Sequence, residues 1–384
     1  MTSPFHFDEQ CNIIDGGKEL EKSVDLSNKK VYFEFMRIIA IALVIFNHHA
    51  GYTLYQISSG AKQWVYMTIT MITRINVPLF LMISGALLLR KNEEFPTVIR
   101  KRFLRFLLLI TVFEGAFYSC YKIFMVLHSF EYDYSLSRFI TGMLANTLEG
   151  TDSYWYLYSY IGMLLILPFM QRIAKKMSKS DFAVLIVIHA VFWSFLPIAN
   201  MILLTHGQNE IYISGNISVP FSDTKAFFYP LLGYYLEYNV DYEKLKKKHL
   251  IGLIVLALVG IAISNVCTYW EGITTGAYTQ NYVQLFDYLT AIVAFIVIRL
   301  LFIKCESLSQ GRVGAIICCV GSLTLGMYLL DPFLKLFFCE KYQFMLEPIL
   351  PTLIVSFGWI IISMIMGGIL TAIIKKIPGL KKLI

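Results

Sequence analysis

The stretch EFMRIIAIALVIFNHHAGY, Glu34 to Tyr52, decides the fold. It is apolar enough, and with its flanks long enough, to cross a hydrocarbon core of about 30 Å as a helix. Yet it holds Arg37 near its start and His48 and His49 near its end. Eleven residues at 100° each return almost to the starting direction. A straight α-helix therefore places Arg37 and His48 on one face, about 16 Å apart along the axis, and turns His49 about 100° away. A packing histidine that donates to a backbone carbonyl is the competing reading. Ionisable residues inside a membrane are rare and mark functional sites by default, which favours a functional His48.

The same kind of segment recurs along all 384 residues, of which 57% are hydrophobic and 15% charged, with a mean hydropathy of +0.62. That composition excludes a soluble globular protein. The expected fold is all-α, a polytopic membrane helix bundle of about ten spans: Phe35 to Leu54, Val65 to Leu89, Phe103 to Leu127, Tyr154 to Met170, Phe182 to Leu204, Ala226 to Leu236, Leu250 to Trp270, Val283 to Phe302, Gly314 to Phe338 and Pro348 to Ile374. The sixth, AFFYPLLGYYL, is short and interrupted by Pro230 and Gly233.

Ten spans put both termini on one side. On this assignment most of the 33 Lys and Arg fall on that same side, which the positive-inside rule makes cytoplasmic. The net charge of +7 is then a matter of topology and lipid contact rather than nucleic-acid binding. Residues 1–30 read as a mobile cytoplasmic arm without the apolar core of a secretory signal, 31–376 as one membrane domain, and 377–384 as a short basic cytoplasmic tail. The expected location is the cell membrane. The seven cysteines show no metal-ligand spacing, so no metal is expected.

Further ionisable residues lie where lipid should be. TRINVPLFLMISGALLLRK carries Arg74 about 22 Å from the inner surface, close to the depth of His48. Pro78 frees the Arg74 carbonyl from its helical bond, and Ser84-Gly85 permits close helix contact, so a kinked or partly unwound helix is expected. Glu114 lies about 16 Å and Asp331 about 26 Å into their spans. An arginine and a carboxylate can simply neutralise each other. A histidine beside a carboxylate is also a general-base pair. Near the inner surface, RKNEEFPTVIRKRFLRF sets Arg102 and Arg105 on one helix face, either as a topology signal or as a phosphate receptor. Tyr154 and Trp155 stand at an outer edge as interfacial anchors or as stacking surfaces for a sugar.

Together these residues resemble acyltransferase family 3, the membrane acyltransferases of surface glycans. The resemblance rests on Arg37 and His48 with ten residues between them, on RINVPLFLMISG, and on the Arg-x-x-Arg of Arg102 and Arg105. It continues through YWYLYSYIGMLLILP, YPLLGYYL and SLTLGMYLLDPF. It departs at Asp331, where relatives often carry histidine, and at Tyr154-Trp155-Tyr156-Leu157. The resemblance implies O-acyl transfer, usually of acetyl, from cytoplasmic acetyl-CoA or another acyl-CoA to an extracytoplasmic glycan hydroxyl. His48 would be the essential residue, with Arg37, Arg102 and Arg105 serving the donor. Arg74 would face the developing oxyanion, Glu114 would support the histidine, and Asp331, Tyr154 and Trp155 would contact the acceptor. An exporter of glycans or lipid-linked sugars, which also needs a polar mid-membrane layer, is the alternative.

Overall fold

The computed structural model describes residues 30–51, 54–131, 133–213, 225–278 and 280–384. The expected N-terminal arm, apart from Lys30, and the outer loop from Ser214 to Thr224 lie outside the described residues. Among the described residues the chain is helical and contains no strand. The main helices are α1 (Val31–Phe46), α2 (Gly60–Thr73), α3 (Asn76–Leu88), α4 (Leu104–Leu127), α5 (Leu136–Ala145), α6 (Trp155–Lys176), α7 (Lys179–Ala190) and α8 (Leu196–Thr205). They continue with α9 (Lys225–Tyr238), α10 (Lys247–Thr275), α11 (Asp287–Lys304), α12 (Gly311–Gly321), α13 (Thr324–Leu334), α14 (Glu340–Leu346) and α15 (Thr352–Ile374).

Seven helical segments are long and apolar enough to cross a membrane: Val31–His49, Gly60–Leu88, Phe95–Leu127, Asp152–Lys176, Lys179–Thr205, Lys247–Thr275 and Thr352–Ile374. The pair Gly311–Gly321 and Thr324–Leu346, bent by 49° at its break, makes an eighth if taken as one span. This is the build of a multi-pass membrane protein. The two remaining expected spans have reasons to fall short. Helix α9 has 14 residues, and α11 carries Asp287, Arg299 and Lys304 within its 18.

The chain divides into two compact units, one formed by the chain up to Asn92 with Phe169–Cys318, the other by Glu93–Pro168 with Cys319–Ile384. In the first unit α3 and α9 meet backbone to backbone. A Cβ on Gly85 would sit 1.9 Å from the Pro230 carbonyl oxygen, and one on Gly233 would sit 2.1 Å from that of Met82. Lipid offers no hydrophobic drive between helices, so such small-residue contacts hold them by dispersion and exclude any side chain. Pro230 and Gly233, which interrupt the sixth span in sequence, are thus the surface that receives α3, and Ser84-Gly85 is its counterpart.

The span Gly60–Leu88 is broken at Arg74 and Ile75, where the Arg74 N–H bonds to the Met71 carbonyl three residues back. Pro78, in the first turn of α3, has no N–H for the Arg74 carbonyl, so the expected interruption is present and falls at the arginine. At the far end of α3, buried Gln171 donates to the Leu88 carbonyl (3.0 Å) and Lys175 donates to that of Lys91 (2.9 Å). The Leu88 carbonyl, one of the last of α3, thus accepts from Gln171 as well as from the Lys91 N–H (3.1 Å). Helix α1 packs into the same unit, with Phe33 against Phe295 (6.2 Å between ring centres) and Phe35 against Phe302 (5.4 Å).

In the second unit α13 packs along α15. The Tyr154 hydroxyl donates to the Leu329 carbonyl and the Tyr328 hydroxyl to that of Ser153, a reciprocal tie between the start of α6 and α13. Phe117 of α4 meets Phe333 edge to face at 5.2 Å.

The α3–α9 contact gives a direct test. Gly85→Leu is expected to lower stability by about 3 kcal/mol or more, the upper range for overpacking, because backbone rather than a movable side chain blocks the new atoms. Gly162→Leu on α6, where nothing lies within 4 Å of the added atom, should leave it unchanged. Thermal unfolding of the two purified variants in detergent measures the difference, and equal transitions would contradict the packing.

Candidate functional site

The α-helix α1 stops at Phe46, and Asn47–Gly51 form a single π-turn that contains both histidines. The straight-helix alignment of Arg37 with His48 therefore holds only through Phe46. Beyond it the turn is wider than the 3.6-residue turn the alignment assumes. Single π-turns inside α-helices occur frequently at functional sites. Both His48 and His49 are half-buried.

What fixes this turn is a reciprocal pair of hydrogen bonds. The Thr73 hydroxyl donates to Asn47 Oδ1 (2.8 Å), and Asn47 Nδ2 donates to the Thr73 carbonyl (3.3 Å). Asn47 and Thr73 are both buried. His48 follows Asn47 in the chain and Arg74 follows Thr73, so the bond joins the two places where regular helix is interrupted. Arg74 is 7% exposed and its Nη2 donates to Gln280 Oε1 (3.2 Å). Arg37, lower on α1 and buried, makes an ion pair with Glu34 one turn away. Within the first unit, then, the structure carries Arg37, His48 and Arg74, and it links the turns that hold the last two.

The same unit holds a buried group that sequence reading missed. Asp287, in the first turn of α11, accepts from the Tyr229 hydroxyl at Oδ1 (2.7 Å), and its Oδ2 lies 3.8 Å from Lys225 Nζ. Lys225 also donates to Gln284. The segment Gln280 to Asp287 thus touches Arg74, Lys225 and Tyr229 in succession. Lys225 stands one residue before an expected span and reads as an ordinary flanking charge. Asp287 is four residues inside one, and that position was the available signal.

The second unit holds the other expected residues. Glu114 is fully buried, with both carboxylate oxygens 2.9 Å from the Tyr158 hydroxyl. Asp331 is also buried and accepts from the Ser363 hydroxyl at 3.5 Å. Tyr154 has no exposed surface and its hydroxyl is spent on Leu329, so it packs the unit and offers no stacking face. Trp155 is 38% exposed. Arg102 sits in another π-turn, Ile99–Phe103, and grips Glu93 through Nε (3.2 Å) and Nη2 (2.8 Å). Arg105 donates through Nε (3.3 Å) and Nη2 (3.1 Å) to the Leu383 carbonyl near the chain end. The two arginines expected to share a ligand each have a separate partner. Among the described residues no three His, Cys, Asp or Glu are grouped to hold a metal ion.

Residues 30–368 match the sequence model of a family described as an acyltransferase domain, acyltransferase family 3. No curated protein and no solved structure matches the chain.

If the Asn47–Thr73 pair ties the two interrupted helices, Asn47→Ala and Thr73→Val should be non-additive. A double-mutant cycle read by unfolding in detergent is expected to give a coupling of about 1 kcal/mol. A coupling indistinguishable from zero would remove the tie.

Proposed function

The chain belongs to acyltransferase family 3, and from that premise we propose that it moves a short acyl group, acetyl in the first instance, from cytoplasmic acyl-CoA to a hydroxyl of an extracytoplasmic glycan. Ten spans, with α9 and α11 counted among them and both termini in the cytoplasm of the cell membrane, are part of this reading. The observation that carries it is the Asn47–Thr73 bond, which joins the turn bearing His48 to the break bearing Arg74.

The chemistry balances with these two groups. The acceptor hydroxyl attacks the thioester carbonyl as His48 takes its proton, and the developing oxyanion faces the Arg74 guanidinium. Collapse breaks the carbon–sulfur bond, releases the ester, and returns the proton from the imidazolium to the departing thiolate. A guanidinium carries five N–H donors. Arg102 and Arg105 each commit Nε and Nη2 to protein partners, so each keeps further donors for a phosphate of the donor, and Arg37 also serves the donor in this reading. Trp155 supplies a ring on which the acceptor sugar stacks. An exporter has no use for thioester chemistry, and the family membership weighs against it.

The test is transfer of labelled acetyl from acetyl-CoA to a test glycan by the purified protein. His48→Ala is expected to lower turnover by about 10²-fold or more, the usual loss on removing a general base, with folding retained. His49→Ala should fall by only a few fold. A His48→Ala enzyme of near-normal turnover, or a dead His49→Ala, contradicts the assignment.

A further inference from the structure

At the end of the first unit where α1 begins, two cations meet one carboxylate and a third lies on the ring of the residue that follows it. Glu237 of α9 is almost fully buried, and its Oε1 accepts from Lys30 Nζ and from the Tyr32 hydroxyl (2.6 Å). Its Oε2 lies 3.8 Å from Arg299 Nε and accepts no hydrogen bond. Arg299 lies over the Tyr32 ring at 4.3 Å and the Tyr242 ring at 5.8 Å, and its Nε is likewise without a hydrogen-bond partner. Arg90 rests on the Tyr238 ring at 5.3 Å, and Lys30 approaches the same ring at 5.1 Å.

The rings are fixed from behind. The Tyr238 hydroxyl donates to the Ala86 carbonyl (2.9 Å) and that of Tyr242 to the Leu236 carbonyl (2.9 Å). Arginines laid on pinned rings lose little freedom on binding and keep their in-plane donors directed away from the rings. Lys30 and Arg299 retain partly exposed side chains, 38% and 28%. The cluster carries more positive charge than Glu237 neutralises and still reaches solvent, which is the condition for receiving a multiply charged anion.

We propose that Lys30, Arg90 and Arg299 form a phosphate-binding site at this end of the first unit. Two sources bring phosphate there: the phosphorylated nucleotide end of acyl-CoA, which rests on the donor proposed above, and the headgroup of an anionic lipid.

The experiment uses the full chain in nanodiscs. In discs of phosphatidylcholine alone, coenzyme A is titrated against the wild type, Arg299→Gln and Arg90→Gln. In discs containing phosphatidylglycerol, retained anionic lipid is counted by native mass spectrometry. Both substitutions are expected to weaken one of these ligands by about tenfold, the loss of one charged hydrogen-bonded contact. A loss confined to coenzyme A assigns the site to the donor, and a loss confined to phosphatidylglycerol assigns it to lipid. Wild-type affinity for both ligands in both variants overturns the site. Folding is not at stake for Arg90→Gln, whose side chain is exposed, and Arg299→Gln leaves Glu237 paired with Lys30 and Tyr32. If the wild type binds lipid here but neither binds coenzyme A nor transfers acetyl, the acyl-CoA reading fails while the phosphate site stands.

Discussion

Gly85 against Pro230 and Gly233 against Met82 bring two helix backbones into contact, and the first unit is arranged around that contact. It fixes α9 along α3, and α9 in turn presents charged groups at both ends. Lys225 and Tyr229 reach Asp287 at one end, and Glu237 meets Arg299 at the other. Helix α11 is thereby held by two polar clusters rather than by an apolar face alone. Side chains of any size at the two glycines would separate α3 from α9 and leave these charges without their partners. In a low-dielectric surrounding an unpartnered charge costs several kcal/mol.

Three ionisable residues of the candidate site stand where regular helix fails. The π-turn after α1, the break between α2 and α3 and the π-turn before α4 carry His48, Arg74 and Arg102 respectively. An interrupted helix exposes backbone groups that a membrane does not tolerate unless other groups meet them. At the first two interruptions, Asn47 and Thr73 answer each other. The same bond that repairs the backbone therefore sets the imidazole and the guanidinium on linked turns. Stability and the proposed catalysis would share one device there, and the cost of irregular backbone is met by the residues that position the proposed chemistry.

Much of this was legible in the sequence, because length and apolarity alone decide which helices can span. The Pro78 break at Arg74 followed from a missing N–H, and the Ser84-Gly85 notch from the absence of side-chain bulk. The straight-helix alignment of Arg37 with His48 was less secure, because no local propensity announces a π-turn. Tyr154 reads as an interfacial aromatic by position, and only the Leu329 carbonyl at its hydroxyl reveals it as packing. Arg102 and Arg105 share a helix face by spacing, but their partners, Glu93 and Leu383, are set by how the chain returns. Asp287 and Glu237 escaped notice for the same reason. Their meaning lies in Tyr229, Lys225 and Arg299, each remote from them in sequence.

The central claim is that the acyl group alone crosses the membrane, delivered from a donor on one side to a hydroxyl on the other at His48. The most direct measurement uses sealed vesicles of defined orientation, with labelled acetyl-CoA confined to the cytoplasmic face and an impermeant glycan supplied only to the opposite face. The account predicts label on the glycan with wild-type protein and none above background with His48→Ala. Label that reaches the glycan only when donor and acceptor share a compartment would contradict it.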